Sequence, residues 1–146
     1  MKMKLKGDFE YLKSTWEKSW IFAPLFDDVK PFFEKCPCPI YVITNDGTKY
    51  IKQSMEDKGL NPVGIISAED VRAFKPHSEI FEEALRVSGR KADEVVHIGD
   101  SVFSDVKGAI ASGIRPILVD RKNSQECDEA IVVDSLIKII DILKEM

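Results

Sequence analysis

His97-Ile98-Gly99-Asp100-Ser101-Val102-Phe103-Ser104-Asp105 follows an apolar run and places two carboxylates just beyond a strand end. A carboxylate pair at the mouth of an α/β sheet suits Mg²⁺, which takes oxygen ligands and neutralises phosphate charge. Two other segments give the pair its meaning. Thr44 follows the apolar run Pro39–Ile43, and Lys75 stands in Ala73-Phe74-Lys75-Pro76-His77. A residue at the carboxyl end of a strand lies where ligands bind in open α/β sheets. There the Thr44 hydroxyl and the backbone N–H of Asn45 can donate to phosphoryl oxygens, before a helix whose amino end favours an anion. Pro76 disfavours helix at Lys75 and holds it in an extended entry to the next helix. The lysine ammonium can then neutralise a phosphoryl group, more strongly where water is excluded. The order Thr, Lys, Gly-Asp-x₄-Asp therefore reads as a phosphate site, with Thr44, Asn45 and Lys75 on the anion, and Asp100 and Asp105 at the metal, Asp100 as a direct ligand and Asp105 held nearby to a metal-bound water or to Lys75.

Outward from this core, apolar residues and turn signals alternate at short intervals. Phe9, Leu12, Trp16 and Trp20 recur every three or four residues, which predicts a helix from Phe9 to Ile21 with one aromatic face. Asp27-Asp28 predict an amino cap for a short helix, Val29–Lys35, stopped by Pro37 and Pro39. Strands are expected at Ile40–Thr44, Val63–Ser67, Glu94–Ile98, Ile114–Val119 and Ala130–Val133. Helices are expected at Lys49–Lys58, Ser78–Ser88, Val106–Ser112 and Ser135–Lys144, several closed by glycine. This alternation implies an α/β fold, Rossmann-like, with a parallel sheet and helices on both faces. Gly99 is read as the residue that lets the chain turn out of its strand, and Asp105 also fits the first turn of the helix behind it. His97 is assigned to packing between helix and sheet, and His77 to the surface.

Composition narrows the classes. With 146 residues, 44% of them hydrophobic, the chain suits effectively one domain. A net charge of −4 and no Lys/Arg cluster argue against a nucleic-acid surface. No apolar stretch reaches membrane-spanning length and Met1–Lys6 lacks the core of a signal peptide, so the expected compartment is the cytoplasm. Cys36, Cys38 and Cys127 are an odd count without the spacing of a zinc site, and read as reduced thiols.

With their flanks, Thr44, Lys75 and Asp100/Asp105 resemble the second, third and fourth motifs of the haloacid dehalogenase-like hydrolases, over about Pro24 to Asn123. The resemblance implies a Mg²⁺-dependent phosphohydrolase acting on a small phosphate ester. It also implies that residues 1–23 correspond to the tail of a helical cap and residues 24–146 to a partial core. That family begins with a strand ending in Asp-x-Asp-Gly-Thr/Val, whose first Asp is the nucleophile, and nothing upstream of Thr44 fits that pattern. Thr44-Asn45-Asp46-Gly47-Thr48 imitates it, but the distances to Lys75 and Asp100 assign Thr44 to the second motif and leave Asp46 as a turn residue. Asp8 follows Lys4-Leu5-Lys6-Gly7, too polar for a strand buried on both faces, and is rejected as a substitute.

In the resembled fold the first strand lies between those carrying Thr44 and Asp100. Its absence would strip partners from buried backbone groups at about 1–3 kcal/mol each. Three repairs are expected: direct pairing of the two flanking strands, filling by Met1–Leu5 or another segment, or donation by a second chain, as in a homodimer. The functional expectation is a core portion nearly inactive alone. The alternative is a non-catalytic domain that binds phosphate or pairs with a partner through Trp16 and Trp20. Dehalogenase chemistry ranks behind both, because Lys75 and the acid pair suit phosphate.

Overall fold

The structure, a computed structural model, describes residues 8–146. Helix α1 (Phe9–Ile21) opens it, its first N–H groups capped by the Asp8 carboxylate, which accepts from Glu10 and Tyr11 at 3.1 and 3.2 Å. No residue of α1 is buried. The chain continues through α2 (Val29–Lys35), β1 (Tyr41–Thr44), α3 (Thr48–Asp57), β2 (Gly64–Ser67), α4 (Ala68–Val71) and α5 (Ser78–Ser88). It ends with β3 (Val96–Gly99), α6 (Lys107–Ala111), β4 (Arg115–Val119), β5 (Ile131–Val133) and α7 (Leu136–Glu145). Gly89 closes α5 at φ +67°, a left-handed conformation that glycine adopts without strain.

All ladders are parallel, as the alternation of strands and helices requires, but they form two pieces. β1 pairs with β2, Thr44 opposite Ser67, and β3, β4 and β5 pair in that order. Among the described residues no ladder joins β1 to β3. Direct pairing of the Thr44 and Asp100 strands is thereby overturned as a repair, and Met1–Leu5 lies outside the described residues. β4, paired on both sides, is buried from Pro116 to Val119, whereas β1 up to Ile43 and all of β3 are half-buried. Partial exposure lowers the cost of any backbone group left unpaired on β1 and β3 below that of the buried groups expected from sequence.

Helix α5 holds the two pieces together. Ile80 and Phe81 are fully buried, in one cluster with Ile66 of β2, Ala109 of α6 and Ile114. Phe81 also meets the His97 ring of β3 edge to face, centroids 5.0 Å apart. A second core lies between α2, α7 and the other sheet piece, built from Phe32, Ile117, Val119, Ile139 and Ile140.

Asp28 departs from its expected role. It makes no cap bond to α2. Its carboxylate instead accepts from Arg121 at 2.9 and 3.0 Å and from the Leu136 N–H at 2.9 Å, so it caps α7 across the core. Burial works to raise its pKa, but the Arg121 and Leu136 hydrogen bonds outweigh that and hold it below the usual carboxylate range. Removing such a partner leaves the half-buried guanidinium and a helix amide unsatisfied. Asp28→Ala is expected to lower stability by about 2 kcal/mol, read as a lower urea midpoint at pH 7. A shift no larger than that of an exposed Asp134→Ala control would contradict the assignment.

Candidate phosphate and metal site

Lys75 is where the separated motifs meet. Its Nζ lies 2.7 Å from Asp105 Oδ1, with side chains only 16% and 4% exposed. Its backbone is clamped by the Asn45 amide, which accepts from Lys75 N–H at 2.8 Å and donates to Lys75 O at 3.3 Å. The Asn45 side chain thus fixes the lysine loop against the end of β1, a role absent from the sequence reading, which used only its backbone N–H. The Lys75–Pro76 peptide is cis.

Thr44 is buried, and its hydroxyl accepts from Asp46 N–H at 3.0 Å and donates to Asp46 Oδ2 at 3.2 Å. Asp46 is therefore the turn residue expected. The hydroxyl can serve a phosphoryl oxygen only by exchanging its bond to that carboxylate.

Asp105 occupies a different local structure from the one expected. Residues Val102–Val106 form a π-helical turn before α6, in which Val106 N–H reaches the Ser101 carbonyl at 3.2 Å. Single π turns recur at functional sites because they re-aim side chains. Here the turn sends the Asp105 carboxylate back over β3, so it caps no helix. Oδ1 accepts from Lys75 and lies 3.0 Å from His97 Nε2, while Oδ2 accepts from Ser101 N–H at 3.1 Å. Burial works to raise its pKa, but the His97 hydrogen bond and the Lys75 charge outweigh it and hold Asp105 down to about 2.

Gly99 serves a purpose other than the expected turn. A Cβ built on it would overlap the Asp105 side chain, so glycine is required by close approach. The same alternation explains His97. Residues two apart on a strand share a face, so His97 stands beside the carboxylate that lies over Gly99. The packing expected of His97 is present against Phe81, but its bond to Asp105 was missed. The spacing His-x-Gly before the acid was the available signal. His77 is exposed and meets the Phe74 ring edge to face, centroids 5.4 Å apart.

The carboxylates fit Mg²⁺ unequally. Asp100 is exposed, with its carbonyl fixed by Gln125 Nε2 at 2.9 Å and its carboxylate free of hydrogen bonds among the described residues. It suits a direct ligand. Asp105 already serves three donors, with Lys75, one of the two partners expected for it, among them; it can reach a cation only through a bound water or its remaining lone pair. Among the described residues no three His, Cys, Asp or Glu side chains converge as a ready cluster. The set matches a cation held by one carboxylate and completed by water and substrate oxygens.

Known proteins agree with this architecture. Residues 4–113 match the model of the haloacid dehalogenase-like hydrolases, and the chain belongs to that family. It is 35% identical over 77 residues to a zebrafish (Danio rerio) protein described as haloacid dehalogenase-like hydrolase domain-containing protein 3, covering 53% of this chain and 32% of that one. It is 34% identical over 94 residues to a glyceraldehyde 3-phosphate phosphatase of Methanocaldococcus jannaschii, covering 60% and 41%. The chain therefore spans less than half the length of these curated relatives. A phosphatase of the family from Thermococcus onnurineus superposes with TM-score 0.76 at 25% identity, covering 95% of this chain and 66% of that one. The L-2-haloacid dehalogenase of Xanthobacter autotrophicus reaches 0.87 at 18% identity, covering 97% and 69%, which shows a shared fold. No helix among the described residues is long and apolar enough to cross a membrane.

Proposed function

We propose that this chain carries the phosphate-anchoring half of a Mg²⁺-dependent phosphohydrolase of small phosphate esters, and is nearly inactive without a nucleophilic aspartate. The observation that carries the reading is the junction at Lys75, where Asn45 holds the backbone and Asp105 holds the ammonium. One cation is thereby fixed beside the Thr44 hydroxyl loop at the strand ends. The phosphatases among the relatives support the same chemistry.

In this reading Lys75 neutralises the phosphoryl group, and its pairing with buried Asp105 keeps it preorganised, so little rearrangement accompanies reaction. Thr44 Oγ1 and Asn45 N–H orient two phosphoryl oxygens. Asp100 holds Mg²⁺, which when bound offsets phosphate charge. An aspartate outside this sequence would attack phosphorus as the ester P–O bond breaks, and water would then release inorganic phosphate from the acyl phosphate. The source of that aspartate in this reading is a strand from a different, partner chain, seated between β1 and β3, which no ladder joins among the described residues. The cytoplasm is the proposed location, consistent with three free thiols.

The test pairs activity with binding. Mg²⁺-dependent hydrolysis of p-nitrophenyl phosphate should not exceed that of Asp100→Asn, while calorimetry should detect inorganic phosphate binding that Lys75→Met abolishes. Hydrolysis lost on Asp100→Asn would mean that this chain supplies its own nucleophile. Absence of phosphate binding would remove the anion site itself.

A second reading rests on the exposed rings of Trp16 and Trp20, 58% and 51% exposed. It makes the chain a non-catalytic domain that keeps phosphate affinity and pairs through α1, and it predicts concentration-dependent association lost on Trp20→Ser.

A further inference from the structure

Both tryptophans of the chain face a cavity of about 190 Å³ between α1 and the loop that follows Thr44. Their ring centroids are 6.1 Å apart and tilted by 58°, so they form two walls of a corner, and Tyr50 supplies a third ring. Two carboxylates, Glu17 and Asp46, complete the lining with two isoleucines and the loop residues Asn45 and Gly47. Glu17 is pinned in place by the Tyr50 hydroxyl, which donates to its Oε1. Lys13 is 3.9 Å from Glu17 with its side chain 52% exposed, and among the described residues no basic residue lines the cavity.

Aromatic faces and carboxylates share a preference. The ring quadrupole attracts a cation to its face, and a carboxylate adds charge of the same complementary sign. A phosphate or sulfate in this cavity would meet two like charges and, among the described residues, no cation. A neutral apolar group would find the rings but leave the charges of Glu17 and Asp46, each bonded to one neutral hydroxyl, uncompensated within the cavity. The volume lies below that of drug-sized pockets, which limits the occupant to a small head group. Asp46 also accepts the Thr44 hydroxyl bond, so the cavity and the phosphate loop share a wall.

We propose that this cavity binds the ammonium head of a small alkylammonium phosphate ester, with its phosphate directed to Thr44, Asn45 and Lys75. The cavity's preference for a cation stands alone, whereas the placement of the phosphate rests on the function proposed above.

Intrinsic fluorescence tests the two parts separately, because both reporting tryptophans line the cavity. Choline is titrated beside 3,3-dimethylbutanol, its neutral isostere. Choline should quench saturably and bind about tenfold more tightly than the alcohol, the scale of a partly desolvated cation–π contact. Glu17→Gln should reduce that advantage. Trp16→Leu should abolish it, with Trp20 still reporting. Equal affinity for the two probes, or none for choline, would overturn the cation assignment, and an unchanged advantage in Trp16→Leu would overturn the location. Phosphocholine should bind more tightly than choline. If it does not, the phosphate reading fails while the cavity stands; if inorganic phosphate binds and choline does not, the cavity fails while the phosphate reading stands.

Discussion

Lys75→Met is expected to lower unfolding stability by about 3 kcal/mol at pH 7 and to abolish phosphate binding, the larger of two effects concentrated at one carboxylate. Methionine keeps the aliphatic stem and removes the charge, leaving Asp105, its side chain 4% exposed, to be buried as an anion on His97 and Ser101 alone. Breaking one partner of a buried pair costs more than the pair contributes, because the survivor stays desolvated. The pH dependence has a definite sign. Asp105 is depressed in the fold to about 2 from 3.8, so its stabilisation is complete above about pH 4 and lost as pH falls through 2. Wild-type stability should decline across that window by about 2 kcal/mol from this group. The gap between wild type and Lys75→Met should narrow over the same range. Urea denaturation followed by circular dichroism at pH 7 and pH 2.5 measures both. A loss below 1 kcal/mol, or one equal at the two pH values, would show that the ion pair is a surface-like contact.

The elements legible in the sequence are those whose signals are local. Helix α1 follows from the spacing of Phe9, Leu12, Trp16 and Trp20, and α5 ends at Gly89 because only its left-handed conformation closes that turn cheaply. The motifs at Thr44 and Asp100 were legible for the same reason, each a strand end followed by a turn, and Lys75 was legible through the proline that follows it. What escaped depends on contacts distant in sequence. Asp28 reads as the cap of the helix it precedes, yet its carboxylate serves Arg121 and Leu136, far along the chain. The π turn at Val102–Val106, just ahead of the expected helix, places Asp105 among three donors, Lys75, His97 and Ser101, which no helical periodicity announces.

The same contrast explains how the site holds together across two sheet pieces. A single sheet would align the ends of β1 and β3 by backbone hydrogen bonds, the usual device for placing a ligand at strand ends. Among the described residues that ladder is absent, and side chains take over: Asn45 to Lys75, Lys75 to Asp105, and Phe81 from α5 against His97. Such a junction is stiff only while each member is paired, so deletions within it should couple strongly. Among the described residues α5, and not a ladder, packs against both sheet pieces.

Gly99→Ala tests that coupling with the smallest possible change, one methyl group. The added carbon would overlap the Asp105 carboxyl, whose two oxygens are tethered to Lys75, His97 and Ser101, so neither side can yield without breaking a bond. Overpacking of a tethered site is expected to cost about 3 kcal/mol in the urea midpoint at pH 7. It should also weaken phosphate binding, because Lys75 loses the carboxylate that orients it. Backbone strain predicts a different pattern, and the double mutant separates the two. If the clash with Asp105 is the cause, Gly99→Ala should cost less than about 1 kcal/mol in an Asp105→Gly background, where the obstructing Cβ and carboxyl are both gone. If the two costs instead add, the methyl is offending the backbone or another neighbour, and Gly99 would not be the residue that makes room for the Asp105 carboxylate.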